Sequence, residues 1–339
     1  MTQLDRNEES SLDEVARAAC QRYGVGADCS IQLLNFSENA TYLVTDPGTG
    51  VHRVLRIHRA GYSLPQEIAS ELAWMTALRD ESGVRTPRAL PAVDGALVIQ
   101  TPTEPSGTSR SCVMFEYLLG EAPSEDNLTE AFEQLGEVAA RMHRHAESWT
   151  PPLGFTRRTW DLDTTIGERP HWGSWRDGPV LDAATEHLLD RVATVLRSRL
   201  DDYGKSPGRF GLVHADMRLA NLLLHDGSCS VIDFDDSGYS WYLWDLATAL
   251  TFIEDRPDVP QLVHLWLRGY EALRPLDSDD RQHIPDLIML RRLLVLAWIG
   301  SHADTALAQA EGERYACVTR ELAERYLRDP LRPIAGLGR

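Results

Sequence analysis

The chain has 339 residues, enough for two substantial cores, and its 43% hydrophobic and 25% charged residues are ordinary for a globular protein in water. A net charge of −17 argues against a nucleic-acid backbone or an anionic membrane surface as partner; it fits a cationic ligand, and fits a generally soluble cytosolic protein better. Five cysteines without a CxxC pair read as reduced thiols, the polar N-terminus is unlike a signal peptide, and the apolar run 293–300 is far shorter than the ~20 residues of a membrane span. The expectation is a cytoplasmic protein.

Apolar spacing over 12–23 predicts a first helix, with Ser11 as its cap. Residues 31–34 and 41–45 read as strands around a turn at 35–39. The Pro/Gly turn 46–50 leads into a third strand, 54–57. A helix is expected over 64–79, and further strands near 87–90, 96–100 and 112–117. Residues 1–118 are therefore read as one lobe, a mostly antiparallel sheet with an internal helix. The composition then shifts, and 119–339 form the second lobe. It has helices at 128–145 and 181–200, an irregular segment rich in Trp, Pro and Gly between them, and almost continuous helix from 243. The fold class is α+β.

Residues 212–236 carry the chemistry. His214-x-Asp216 ends an apolar run, Asn221 lies five positions after Asp216, and a hairpin turn at Asp226-Gly227 returns the chain to Asp233. This pattern brings two carboxylates and an amide to one place, the grouping that phosphoryl transfer requires. One carboxylate orients the attacking hydroxyl and takes its proton, while hard oxygen donors hold Mg²⁺ against nucleotide phosphates. Asp216 is read as the base, Asn221 and Asp233 as metal ligands, and His214 as a brace for the loop. Arg218 is a cation within reach of the transferring group. No HExxH zinc motif and no GxxxxGK[ST] phosphate loop is present.

His214-x-Asp216-x₄-Asn221, then Ile232-Asp233-Phe234-Asp235-Asp236, then Trp244-Asp245-Leu246-Ala247 resembles the aminoglycoside phosphotransferase/choline kinase superfamily, whose fold is similar to that of protein kinases. The resemblance implies a bilobal kinase-like fold and an ATP- and Mg²⁺-dependent transfer to a hydroxyl, with Asp245 anchoring the catalytic loop. In that scheme a strand cation holds the α/β-phosphates and pairs with a helix glutamate. Arg56 occupies the position where most relatives carry lysine, with Glu71 as partner, Glu67 as the alternative, and His58 and Arg59 nearby. Ser37 and Asn39 replace a glycine-rich phosphate loop. The string Ser37-Glu38-Asn39-x-x-Tyr42 is similar to a loop of the bacterial stress-response kinase subgroup. Residues 114–118 mark the expected hinge between lobes, where Glu116 and Leu118 would offer backbone contacts to adenine.

The acceptor is expected beside the catalytic loop. Asp235, Asp236, Tyr239, Trp241 and Tyr242 form one candidate wall, and Trp298, Ser301, His302 and Asp304 a second. Carboxylates beside aromatics suit an ammonium-bearing alcohol. Three functions are weighed. The first is a small-molecule kinase for an amino sugar, amino alcohol or hydroxy amino acid, the second a Ser/Thr protein kinase, and the third a non-catalytic nucleotide-binding pseudokinase.

Overall fold

The computed structural model describes residues 6–36, 39–103, 108–124 and 128–329. The chain divides into two compact units. The first takes residues up to Asp80 together with Arg85–Leu119 and Pro151–Thr156. The second takes Glu81–Val84, Gly120–Thr150 and the chain from Arg157 onward.

The first unit is built on an antiparallel sheet of β1 (Ser30–Phe36), β2 (Ala40–Thr45), β3 (His52–Ile57), β4 (Ala89–Leu90), β5 (Ile99–Thr103) and β6 (Thr108–Glu116). The order is β1-β2-β3-β6, with β4 and β5 taking successive stretches of the far edge of β6. Strand alternation sends Ala40, Tyr42, Val44, Leu55 and Ile57 into a core covered by Leu12, Val15, Ala16 and Ala19 of helix α1 (Arg6–Arg22). Arg56, between two core residues of β3, therefore points to the opposite face. Helix α2 (Pro65–Ala77) buries Ile68, Glu71, Leu72, Trp74 and Met75, and its last turn gives way to a π-turn at Leu78–Ser82.

In the second unit α3 (Leu128–Ser148) carries its apolar spacing to the end and packs closely on α7 (Val259–Glu271). Two glycines permit that approach. A methyl group added at Gly136 would lie 2.0 Å from the Trp266 carbonyl oxygen, and one at Gly269 would lie 2.0 Å from that of Glu133. The irregular segment after α3 holds only α4 (Leu162–Thr165) and a 3₁₀ turn at Trp175–Asp177. Helix α5 (Ala183–Tyr203) begins at Asp182, whose carboxylate accepts the Thr185 N–H at 2.8 Å. The short α6 (Trp244–Ala249) and α8 (Ser278–Gln282) flank α7, and α9 (Ile284–Ser301) and α10 (Ala306–Arg328) complete the unit. Helix α9 is buried on nearly every side, as its uniform apolarity requires.

Two small ribbons set the geometry of residues 210–241. Strand β7 (Phe210–Val213) pairs with β10 (Gly238–Trp241), and between them β8 (Leu222–His225) pairs with β9 (Ser228–Val231). Asp226 and Gly227 both take positive φ, 48° and 71°, as a two-residue hairpin turn needs. None of the five cysteines forms a disulfide, and no helix among the described residues is long and apolar enough to cross a membrane.

Candidate active site

Because β7 pairs with β10 and β8 with β9, the loops 214–221 and 232–237 run side by side. The Ile232 N–H bonds the Asn221 carbonyl at 2.9 Å, so Asn221 and Asp233 sit at the same open end of the hairpin. Asp233 itself adopts a left-handed backbone, φ 64°, which aspartate tolerates better than most residues.

Asp216 is the hub of the first loop. Its Oδ1 accepts Arg291 Nη2 at 2.7 Å, and its Oδ2 accepts Arg218 Nε at 3.0 Å and Asn221 Nδ2 at 2.9 Å. Burial opposes ionisation of this carboxyl. The guanidinium groups of Arg218 and Arg291 outweigh it and hold the group below the usual carboxylate range. Asp216 is thus a carboxylate at neutral pH. Asn221 also gives Nδ2 to the Asp216 carbonyl at 2.8 Å, so its amide nitrogen is spent inward. Its Oδ1 accepts no hydrogen bond among the described residues. With the Asp233 carboxylate it offers two hard oxygen donors of the kind that hold Mg²⁺ or Ca²⁺. No cluster of three or more His, Cys, Asp or Glu side chains capable of holding a metal occurs among the described residues.

His214 is fully buried and braces both loops. Its Nε2 bonds the Ile232 carbonyl at 3.1 Å, its Nδ1 accepts the Asp216 N–H at 3.2 Å, and its ring lies 4.5 Å from that of Phe234. Those neighbours assign the tautomer with hydrogen on Nε2. Beneath the loop, Asp245 accepts the N–H groups of His214 at 3.1 Å and Ala215 at 2.8 Å. Thr248 Oγ1 accepts that of Met217 at 3.0 Å. Ala215 has φ 67°, a costly conformation for a residue with a Cβ, and the Asp245 bond holds it there. His143, from α3, gives Nε2 to Asp245 at 2.9 Å and meets the Tyr270 hydroxyl at 2.9 Å through Nδ1. Burial drives the His143 pKa down, so the ring is neutral.

Three arginine and histidine partners carried no signal in the sequence. Arg291 and His143 come from distant helices. Arg157, in the irregular segment, donates to the carbonyls of Phe234, Asp235 and Ser237 and so fixes the chain after Asp233. The same segment bridges to β10: Tyr239 N–H bonds the Arg158 carbonyl, and Trp160 N–H bonds that of Tyr239. Gly238 is required there, since a Cβ would lie 2.4 Å from the Arg158 oxygen.

The expected acceptor walls fare unequally. Trp241 and Tyr242 are core residues, 1% and 2% exposed, because β10 is buried against β7. Asp235 and Asp236 are buried, the latter 3.6 Å from Arg158. Tyr239 is half-buried and Asp304 exposed. Trp298 stacks on His302 at 5.0 Å, and Ser301 Oγ donates back to the Ala297 carbonyl.

Within the first unit, Arg56 Nη1 meets Glu71 Oε1 at 3.0 Å, both largely out of water. Glu67 accepts the Leu64 N–H at 2.8 Å and so caps α2. His58 is 2% exposed, and Asn39 Oδ1 accepts the Arg59 N–H at 3.0 Å. Glu116 gives its N–H to the Arg88 carbonyl, and its carboxylate accepts the Arg88 N–H at 3.0 Å. Leu118 lies just past β6. Ser37 falls outside the described residues.

Residues 31–277 match the APH family, described as the phosphotransferase enzyme family. A solved structure of a microcompartment-associated aminopropanol kinase is 40% identical, with a TM-score of 0.87 over 95% of this chain and 100% of that one. Amicoumacin kinase from Bacillus subtilis (strain 168) is 24% identical over 322 residues, 91% of each chain. The amicoumacin kinase hAmiN, solved with AMP-PNP, Ca²⁺ and Ami, superposes with a TM-score of 0.73 at 21% identity, over 94% of this chain and 96% of that one. The chain belongs to the phosphotransferase enzyme family, within the aminoglycoside phosphotransferase/choline kinase superfamily and its kinase-like fold. It is a phosphotransferase with an alcohol group as acceptor.

Proposed function

We propose that this phosphotransferase moves the γ-phosphoryl group of Mg·ATP to the hydroxyl of a small amino alcohol of the aminopropanol class. The observation that carries the acceptor class is the 40% identity to an aminopropanol kinase along the whole of that chain. The acidic balance of the protein, −17, agrees with a substrate that is a cation at neutral pH.

Asp216 orients the acceptor hydroxyl and takes its proton as the new O–P bond forms and the bond from the γ-phosphorus to the β,γ-bridging oxygen breaks. Ionisation of Asp216, kept by Arg218 and Arg291, supports that role. Arg218 also bears a cation toward the charge that grows on the transferring group. Asn221 Oδ1 and the Asp233 carboxylate would hold Mg²⁺, whose chemistry is to neutralise phosphate charge and align the in-line displacement. His214 and Asp245 keep the loop in register. In the first unit Arg56, oriented by Glu71, would hold nucleotide phosphates, with Asn39 and Ser37 beside them and the backbone of Glu116 and Leu118 meeting the adenine.

The test is ATP consumption with Mg²⁺ against a panel of aminopropanol, ethanolamine, choline, homoserine, an amino sugar and a protein acceptor. Aminopropanol is expected to give the highest kcat/KM. A preference of tenfold or more for homoserine, the amino sugar or the protein would overturn the acceptor class. Asp216→Ala is expected to abolish turnover, and full activity in that variant would remove the base assignment.

A further inference from the structure

Helix α9 is apolar along its length, yet it carries two consecutive arginines, Arg291 and Arg292, that are 3% and 1% exposed. Burying a guanidinium demands a counter-charge and full use of its donors. Arg292 obtains both from scaffold. Its Nη1 pairs with Glu254 at 2.8 Å, and its other donors go to Thr319 and the Tyr315 carbonyl, tying α9 to α10. Arg291 spends its donors differently. Its Nε donates to Thr251 Oγ1 at 3.2 Å, and the ion pair it forms among the described residues is with Asp216, although Glu254 also feels its charge. Of this adjacent pair, one arginine is held by structure and the other is committed to the reacting carboxylate.

The donors around Asp216 add a direction. A carboxylate oxygen has two in-plane lone pairs. Among the described residues Oδ2 receives two donors, Arg218 Nε and Asn221 Nδ2, whereas Oδ1 receives only Arg291 Nη2. The remaining lone pair lies on Oδ1, beside the arginine. Resting on the assignment of Asp216 as base, we infer that Arg291 is a positioning residue. It pins one lone pair of Oδ1 from a buried, Thr251-anchored guanidinium and so aims the other at the acceptor hydroxyl.

The role is specific to arginine. The guanidinium spans Thr251 and Asp216 through two different nitrogens of one rigid plane, and a lysine ammonium is a single point on a flexible stem. Arg291→Lys therefore keeps the charge but releases the aim. With the acceptor that supports turnover in the panel, aminopropanol first, Arg291→Lys is expected to lower kcat about 10- to 100-fold. KM for ATP and for acceptor should stay within about threefold, the pattern of an interaction used in the transition state. Thr251→Val, which removes only the second anchor, is expected to shift kcat in the same direction by about three- to tenfold.

The deciding measurement is the same arginine substitution in an Asp216→Asn background. A residue that acts through the Asp216 carboxylate loses its effect there, so the residual kcat of Asp216→Asn and of Asp216→Asn/Arg291→Lys should agree within about twofold. Equal losses in both backgrounds, or Arg291→Lys and Thr251→Val at wild-type kcat, would overturn the inference while leaving Asp216 as base. Wild-type turnover in Asp216→Asn would instead remove the assignment on which the inference rests. Should Arg291→Lys fail to fold, Thr251→Val in the two backgrounds decides by the same criterion.

Discussion

Asp245→Asn is the smallest change that tests whether the catalytic loop is held from below. The native carboxylate accepts three buried donors, the His214 N–H and His143 Nε2 on Oδ2 and the Ala215 N–H on Oδ1. An asparagine has one oxygen and one NH₂ group, so either orientation faces at least one buried N–H with another donor. The lesser evil places the amide oxygen where Oδ2 was and strands Ala215. A tautomer change in His143 gives no escape, because its Nδ1 would then carry hydrogen and the Tyr270 hydroxyl would lose its acceptor. One stranded donor costs about 1–3 kcal/mol, and two bonds losing a charged partner cost about 0.5–1 kcal/mol each. The expected destabilisation is about 2–5 kcal/mol. Released from Asp245, Ala215 also loses what keeps it at φ 67°, so Asp216 shifts and kcat falls by about 100-fold. Urea unfolding followed by circular dichroism measures the first effect as a lower midpoint at unchanged slope. A variant within about 0.5 kcal/mol of wild type and with normal kcat would refute the bracing argument.

Other perturbations follow from the same contacts. Arg56→Met removes the guanidinium paired with the 1%-exposed Glu71 side chain, and is expected to destabilise the first unit by about 3–5 kcal/mol and to weaken ATP binding in calorimetry. Arg56→Lys should recover most of the stability. His143, held neutral by burial, has a folded pKa below the 6.5 of a free imidazole, so its contribution to stability is complete above about pH 6.5 and is lost as pH falls through the folded value. Urea midpoints should therefore decline on acidification from pH 7 to 5, and His143→Gln should flatten that part of the curve. Gly136→Ala drives a methyl group into the Trp266 carbonyl and is expected to cost about 3 kcal/mol or more, read as a lower unfolding midpoint.

What could be read from the sequence was what local chemistry determines. The 222–231 hairpin was announced by Asp226-Gly227, and strand alternation put Arg56 on the face away from Leu55 and Ile57. The family resemblance pointed to Glu71 on the following helix, and the structure pairs it with Arg56, while Glu67 caps its own helix. Partners fixed by packing were invisible. Arg291 lies 75 residues beyond Asp216, in a helix so evenly apolar that its periodicity does not say which side meets the catalytic loop. Arg157 sits in a segment with no period at all, yet three carbonyls of the second loop depend on it. Trp241 and Tyr242 looked like pocket walls because the sequence does not reveal that β10 folds back onto β7.

The interleaving of the two units bears on how such a protein is inherited. The chain passes from one unit to the other five times, after Asp80, Val84, Leu119, Thr150 and Thr156. A crossover that exchanged everything up to Leu119 with a relative would bring in a foreign α2 whose counterpart of Gln66 must bond the resident Gly154 carbonyl, and whose counterpart of Ser70 must accept the resident Thr156 N–H. It would likewise import Glu81, the hydrogen-bond partner of His145 in the resident α3. Chimaeras that recombine nucleotide preference from one parent with acceptor preference from another thus need matched short inserts at 81–84 and 151–156. Divergence at those ten positions is expected to isolate lineages of this fold from productive recombination sooner than divergence elsewhere.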